Sequence, residues 1–151
     1  RHPDKQVVLL AENSLWSIWM RAGDSYSNAL LADSVQAIAR SCYPEAVQRL
    51  CMAIRRTPDF AEAHNQLAIA HCLMARYLDG IRECARTLEI NPWHFAAAAN
   101  LGHCHIVLGN YEQAGNAYLR ALKIHPRLEG VRRQIRQIEN LRHFRPCDPA
   151  A

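Results

Sequence analysis

Glycine and proline are scarce in this sequence, at 6 and 7 of its 151 residues. That scarcity excludes collagen-like and low-complexity chains. No apolar run approaches the ~18 residues needed to span a bilayer, which excludes a membrane-embedded helix. Neither sign of charge dominates: 18 Lys and Arg face 14 Asp and Glu, a net charge of +4. So mild a surplus permits an acidic partner without demanding one. Enzymatic signatures are missing as well. There is no G-x-x-x-x-G-K-[ST], G-x-G-x-x-G, G-x-S-x-G or H-E-x-x-H. Asp and Glu are scattered instead of paired on one helical face, and no cysteine has the helix-start or basic context of a nucleophile. The expectation is a chain with no catalytic activity, no cofactor, no metal and no small-molecule substrate.

What the chain does have is apolar bulk. Hydrophobic types make up 50% of it, too much for a disordered polypeptide and enough for one domain with a substantial core. Six cysteines stand at 42, 51, 72, 84, 104 and 147 with no C-x-x-C spacing. A domain of this size needs no staples, so free, partly buried thiols are expected, and with them a reducing compartment. The first residue is Arg1 and not Met, as in a processed or trimmed product from which a transit peptide has been removed. No apolar leader segment supports secretion.

The organisation of the chain is periodic. Pro58, Pro92 and Pro126 recur every 34 residues. With 27–60, 61–94 and 95–128 set in register, four further columns agree. They are Tyr43, Tyr77 and Tyr111; Ala46, Gly80 and Ala114; Ile54, Leu88 and Leu122; and the small Ser34, Ala68 and Gly102. Such agreement is the signature of a repeat architecture. The third unit, with Leu101-Gly102, Gly109-Asn110-Tyr111, Ala114, Tyr118, Ala121 and Pro126, resembles the tetratricopeptide repeat family. The second departs from that pattern at Gly80 and Cys84, and the first at Asp33.

The resemblance implies an all-α, right-handed superhelix of three helix–turn–helix units. Small residues let the two helices of a unit approach, and aromatic residues fill the space between units. First helices are expected at about 28–40, 61–74 and 95–108, and second helices at about 45–56, 78–90 and 112–124. Residues 1–26 provide an N-terminal capping helix, starting at Pro3-Asp4, with Val8, Ala11, Leu15, Ile18 and Trp19 on one face. It closes at Arg21-Ala22-Gly23-Asp24. Its Trp16 and Trp19 either pack on the first unit or form an exposed docking surface. After Pro126, Leu128, Val131, Ile135, Ile138 and Leu141 recur at helical spacing, and residues 129–144 supply a C-terminal capping helix. Residues 145–151 are expected as a flexible tail. The wording AENSLWSIWMRAGD also resembles a subgroup from bacteria and plant or algal organelles, in which an A-E-x-x-L-W-x-x-W helix precedes about three repeats. That likeness points to chloroplast stroma or mitochondrial matrix, with cytoplasm as the alternative.

Function is expected to be protein–protein interaction, as an adaptor or assembly factor. In the family, ligands bind the concave face through positions 2, 5, 6, 9, 12 and 13 of the first helix of each unit. Here these include Asn65, Gln66, Ile69, Leu73, Asn100, His103 and Val107, and the terminal cap adds Arg133, Gln134 and Gln137. Amide side chains suit the backbone of an extended peptide, and Arg133 suits a carboxylate or phosphate. The alternative is a solvated inner face, with the partner docking elsewhere.

Members that grip acidic chaperone tails carry Lys or Arg at position 5 of the first unit and positions 2 and 6 of the third, with Asn at position 9 of the first. This chain has Leu31, Ala96, Asn100 and Val35 there, so that clamp is absent. His71-Cys72 and His103-Cys104-His105 invite a zinc reading, but consecutive helical residues point about 100° apart and cannot share one metal. His71 and His105 are therefore expected as packing residues.

Two rival readings remain. One is an accessory subunit of a large complex, held by Trp16, Trp19 and the convex face. The other is an RNA-associated factor using Arg127, Arg132, Arg133, Arg136, Arg142 and Arg145, with Arg132 and Arg136 sharing one face and Phe144 the nearby aromatic.

Overall fold

The computed structural model describes residues 5–143, and among them every regular element is a helix. The eight are α1 (Lys5–Trp19), α2 (Ser25–Ala39), α3 (Tyr43–Arg56), α4 (Ala61–Leu73), α5 (Tyr77–Ile90), α6 (Phe95–Val107), α7 (Tyr111–Ile124) and α8 (Glu129–His143). The Pro3-Asp4 start and the 145–151 tail lie outside the described residues.

Helices α2/α3, α4/α5 and α6/α7 pack as hairpins, and each second helix also packs on the next first helix, ending with α7 on α8. The first helices touch one another in turn (α2 with α4, α4 with α6) and so form the inner layer of a right-handed superhelix.

Two local devices set the period. Each second helix ends at the residue before a proline, where the ring excludes the α region for its predecessor. Thr57, Asn91 and His125 accordingly adopt nearly one conformation, with φ of -128°, -130° and -130° and ψ of 81°, 92° and 91°. Each first helix ends instead in a left-handed residue: Ser41 (φ 61°), Ala75 (φ 58°) and Gly109 (φ 76°). The amides of Cys42, Arg76 and Asn110 then reach back to the carbonyls of Ala37, His71 and His105, closing Schellman-type caps. Only the third unit uses the residue suited to that geometry. Helix α2 begins earlier than expected because Asp24 caps it, accepting the Ser27 amide at 2.7 Å.

Alanine dominates the core. Leu30, Leu31, Leu50, Ala53, Phe60, Ala63 and Leu67 fill the first junction. Leu88, Ala97, Ala98 and Ala121 form a second cluster, and Ala114, Tyr118, Val131 and Ile138 seal the terminal cap. At Gly102 a Cβ would sit 2.7 Å from the Tyr118 ring, so α6 and α7 meet over a glycine.

Helix α1 corrects the expectation that its tryptophans lie on the first unit. Gly23, in the linker, sits against Phe60 at the turn between units one and two. Trp19 is buried and stacks on His94 at 4.1 Å, with Phe95 5.5 Å away, at the turn between units two and three. Trp16 meets Phe95 edge-on at 5.9 Å. Glu12 pairs with His125 at the turn into α8. The helix is a strut laid across successive inter-unit turns, which present the rings of His94, Phe95 and His125 to it. Trp19 is thereby unavailable as an exposed docking residue, and Trp16 is half-buried. The exposed tryptophan of the described chain is Trp93, in the turn before α6.

Candidate functional site

The register of α4 and α6 brings Ile69, Leu73, Asn100 and His103 together, with Cys72, around a cavity of about 160 Å³ on the inner face. Leu73 and Val107 are exposed although strongly apolar. The lining has no carboxylate, lysine or arginine, so its polarity comes from one amide, one imidazole and one thiol. It suits an uncharged segment with small apolar side chains and a backbone to be hydrogen-bonded.

Next to the cavity lies a closed polar network. Glu62 and His94 are both fully buried. The Ala97 amide donates to His94 Nδ1 at 3.2 Å, so the ring carries its proton on Nε2 and donates to Glu62 Oε2 at 2.8 Å. Glu62 Oε1 accepts from Asn65 Nδ2 at 3.1 Å and Gln66 Nε2 at 2.7 Å. Asn65 Oδ1 in turn accepts from Asn100 Nδ2 at 3.1 Å. A buried carboxylate is tolerable only when its oxygens are filled in this way.

The arrangement corrects the role expected of Asn65. It is fully buried with both ends of its amide engaged, and it holds Asn100 in place instead of meeting a ligand. Asn100 belongs to both the network and the cavity. Gln66 is half-buried and turned to Glu62.

Helix α8 packs on α7 at the end of the array. Val131, Ile135 and Ile138 anchor it on Tyr118, Ala114 and Ile106, which leaves Arg133 and Gln137 exposed and Gln134 half-buried. Arg132 is engaged, donating to the Pro126 carbonyl at 2.6 Å beside Glu129, and Arg136 is exposed. The side chain of Arg142, and all of Phe144 and Arg145, lie outside the described residues. Val8, Ala11 and Leu15 of α1 face Ile124, Pro126 and Arg132 across a cleft of about 630 Å³.

Among the described residues, no three His, Cys, Asp or Glu side chains are arranged to hold a metal ion. His71 is buried and its Nδ1 has no hydrogen-bond partner. Burial first, then Arg76, holds its pKa below the ordinary histidine value, and burial does the same to His105. His105 is half-buried, its Nδ1 3.5 Å from Asn110 Nδ2.

Sequence reasoning passed over Glu62 and Cys72, yet they occupy positions 2 and 12 of the second unit, and the positional rule alone named them. Trp93 carried no signal, because exposure in a turn is not written in a period.

Residues 95–128 match the model of the tetratricopeptide repeat. The third unit thus carries the tetratricopeptide repeat pattern. A TPR repeat-containing protein of Rhizobium etli is 28% identical over 138 residues, covering 91% of this chain and 67% of its own length. Hsp70-Hsp90 organizing protein 3 of Arabidopsis thaliana is 28% identical over 100 residues. That match takes in 64% of this chain but 18% of the plant protein. Among solved structures, the Sgt2 TPR domain from Aspergillus fumigatus superposes with a TM-score of 0.79 at 17% identity, covering 85% of this chain and 88% of its own. The first TPR of Spaghetti (RPAP3), bound to the HSP90 peptide SRMEEVD, gives 0.77 at 18%, covering 80% and 97%. The superhelical fold is therefore shared with solved tetratricopeptide repeat domains. At the positions where a clamp for acidic tails would need cations, this chain carries Leu31, Ala96 and Asn100, and Leu31 is fully buried.

Proposed function

We propose that this chain is a non-catalytic interaction module that holds an extended, largely uncharged peptide segment of a partner protein against α4, α6 and α8. The observation that carries the proposal is the cavity lined by Ile69, Cys72, Leu73, Asn100 and His103, which offers apolar surface and hydrogen-bonding groups but no fixed charge. Asn100, pre-oriented by Asn65, would pair with the peptide backbone, and Leu73 and Val107 would take apolar side chains. Arg133, with Gln134 and Gln137, would extend the contact along α8. The likeness to chaperone-organizing proteins and to peptide-bound repeat domains supports peptide recognition in general. The inner-face chemistry argues against an acidic tail as the ligand. The compartment that fits this reading is a reducing one, such as stroma, matrix or cytoplasm.

The test is titration of the chain against a peptide library that includes acidic C-terminal tails. Apolar, uncharged peptides are expected to bind, with His103→Ala and Asn100→Ala each weakening them about tenfold, equivalent to about 1.4 kcal/mol. Micromolar binding of an acidic tail, indifferent to both substitutions, would overturn the proposal.

A second reading draws on α1, whose Val7, Leu10 and Ile18 are exposed on the side away from the repeats. A helix apolar on both faces suits a subunit held permanently in a larger assembly. Native size in cell extract separates the two: a sharp large species favours the assembly, migration as a monomer the transient module. Collapse of a large species with RNase would instead favour RNA association through Arg133 and Arg136.

A further inference from the structure

Three cysteines meet where α4, α5 and α6 converge, and the second unit's departures from the family pattern are what bring them there. A Cβ built on Gly80 of α5 would lie 2.7 Å from Cys72 Sγ and 3.2 Å from Cys104 Sγ, so both sulfurs occupy the space that an alanine methyl would fill. Cys72 sits on α4, half-buried and lining the inner-face cavity; Cys104 sits on α6, fully buried behind it. Cys84, on α5, is also fully buried. The three thiols are thus layered. One can be reached from the groove, one touches it from the neighbouring helix, and one is sealed off.

The electrostatics follow that layering. A hydrogen bond with Cys104 draws the Cys72 thiol below the ordinary value, against the opposing effect of burial. The same contact, with burial second, pushes Cys104 up. Burial first, then Cys72 and Glu83, pushes Cys84 up to about 12. Cys72 is therefore the sulfur that ionises first, and the thiolate is the reactive form.

We propose that Cys72 and Cys104 are a peroxide-reactive dithiol site that closes into a reversible disulfide linking α4 to α6 beneath the groove. The chemistry uses hydrogen peroxide as oxidant. The Cys72 thiolate attacks one peroxide oxygen, the O–O bond breaks, and the departing hydroxide takes up a proton to leave as water. Cys72 is now a sulfenic acid. Cys104 then attacks Cys72 Sγ, the S–O bond breaks, and the hydroxyl leaves as a second water with the proton of the Cys104 thiol. Two thiols are oxidised by two electrons and the peroxide is reduced to two waters. A dithiol reductant reverses the step by exchange at either sulfur.

The experiment treats the full chain with hydrogen peroxide, quenches it by alkylation and maps its peptides without reduction. Expected is a peptide bearing Cys72 joined to one bearing Cys104, with both cysteines protected from alkylation and both recovered after dithiothreitol. Cys72→Ser and Cys104→Ser each abolish the linked peptide, whereas Cys84→Ala leaves it. The wild-type map decides the matter even where a variant folds poorly. Linkage of Cys72 to Cys84, Cys42, Cys51 or Cys147 would overturn the proposal. So would oxidation of Cys72 to the sulfinic acid with Cys104 still open to alkylation in the denatured, quenched sample. Peptide binding plays no part in this readout, so its outcome is independent of the function proposed above.

Discussion

His71 fills a packing position with a ring whose buried Nδ1 finds no partner, and the cost of that choice depends on pH. The unfolded chain protonates this ring near the ordinary histidine value of 6.5, and the folded chain resists to lower pH because burial disfavours the cation. Stability tied to His71 is complete above that value and is lost as the pH falls through it. His105, lowered for the same reason, adds in the same direction. Denaturant midpoints are expected to decline between about pH 7 and pH 5, and His71→Phe to make the decline shallower. An unchanged slope would mean that His71 is hydrated and charged in the fold.

Trp19 poses the opposite case at the same scale, a large apolar side chain stacked on the one histidine that completes the Glu62 network. Trp19→Ala should destabilise by about 3 kcal/mol, from lost burial and the cavity left behind. Loss of the His94 shield should also appear as faster exchange of the Ala97 amide.

At the scale of the element, the helix caps show which rules the sequence obeyed and which it bent. Ala75 adopts φ 58° in an exposed turn, where an L-residue other than glycine is strained. Ala75→Gly should stabilise by about 1 kcal/mol, measurable as a rise in denaturant midpoint without a change in slope. In α5 the expected sign reverses. Gly80→Ala gains helix propensity but drives a methyl into Cys72 and Cys104, so it should destabilise, and Cys72→Ala in the same chain should recover much of the loss.

The helices themselves were legible because prolines at 58, 92 and 126 force their predecessors out of the α region, a rule that acts within two residues. Ile69, Leu73, Asn100 and His103 were legible through the family resemblance, which implies that those positions of each first helix line the concave face. Asn65 was not, although it obeys the same register. Whether an inner-face amide meets solvent depends on what lies over it, and Asn65 is closed in by a network joining Glu62 of α4, His94 in the turn before α6 and Asn100 of α6. The position of α1 was equally hidden: amphipathicity tells which face is buried but not against what.

For the whole molecule, the feature with the widest consequence is the strut. An array of tetratricopeptide units touches only its neighbours, so its ends ordinarily fray independently and its stability is a sum over adjacent pairs. Here Glu12 meets His125 across 113 positions of sequence, and Trp19 reaches the start of the third unit from before the first. A ladder of local contacts becomes a closed loop. Closing it demands a search that a linear array never makes, which slows folding, and once closed it makes terminal units share one fate. Hydrogen exchange should find α2 and α7 opening together in the intact chain, and separately when residues 1–19 are removed.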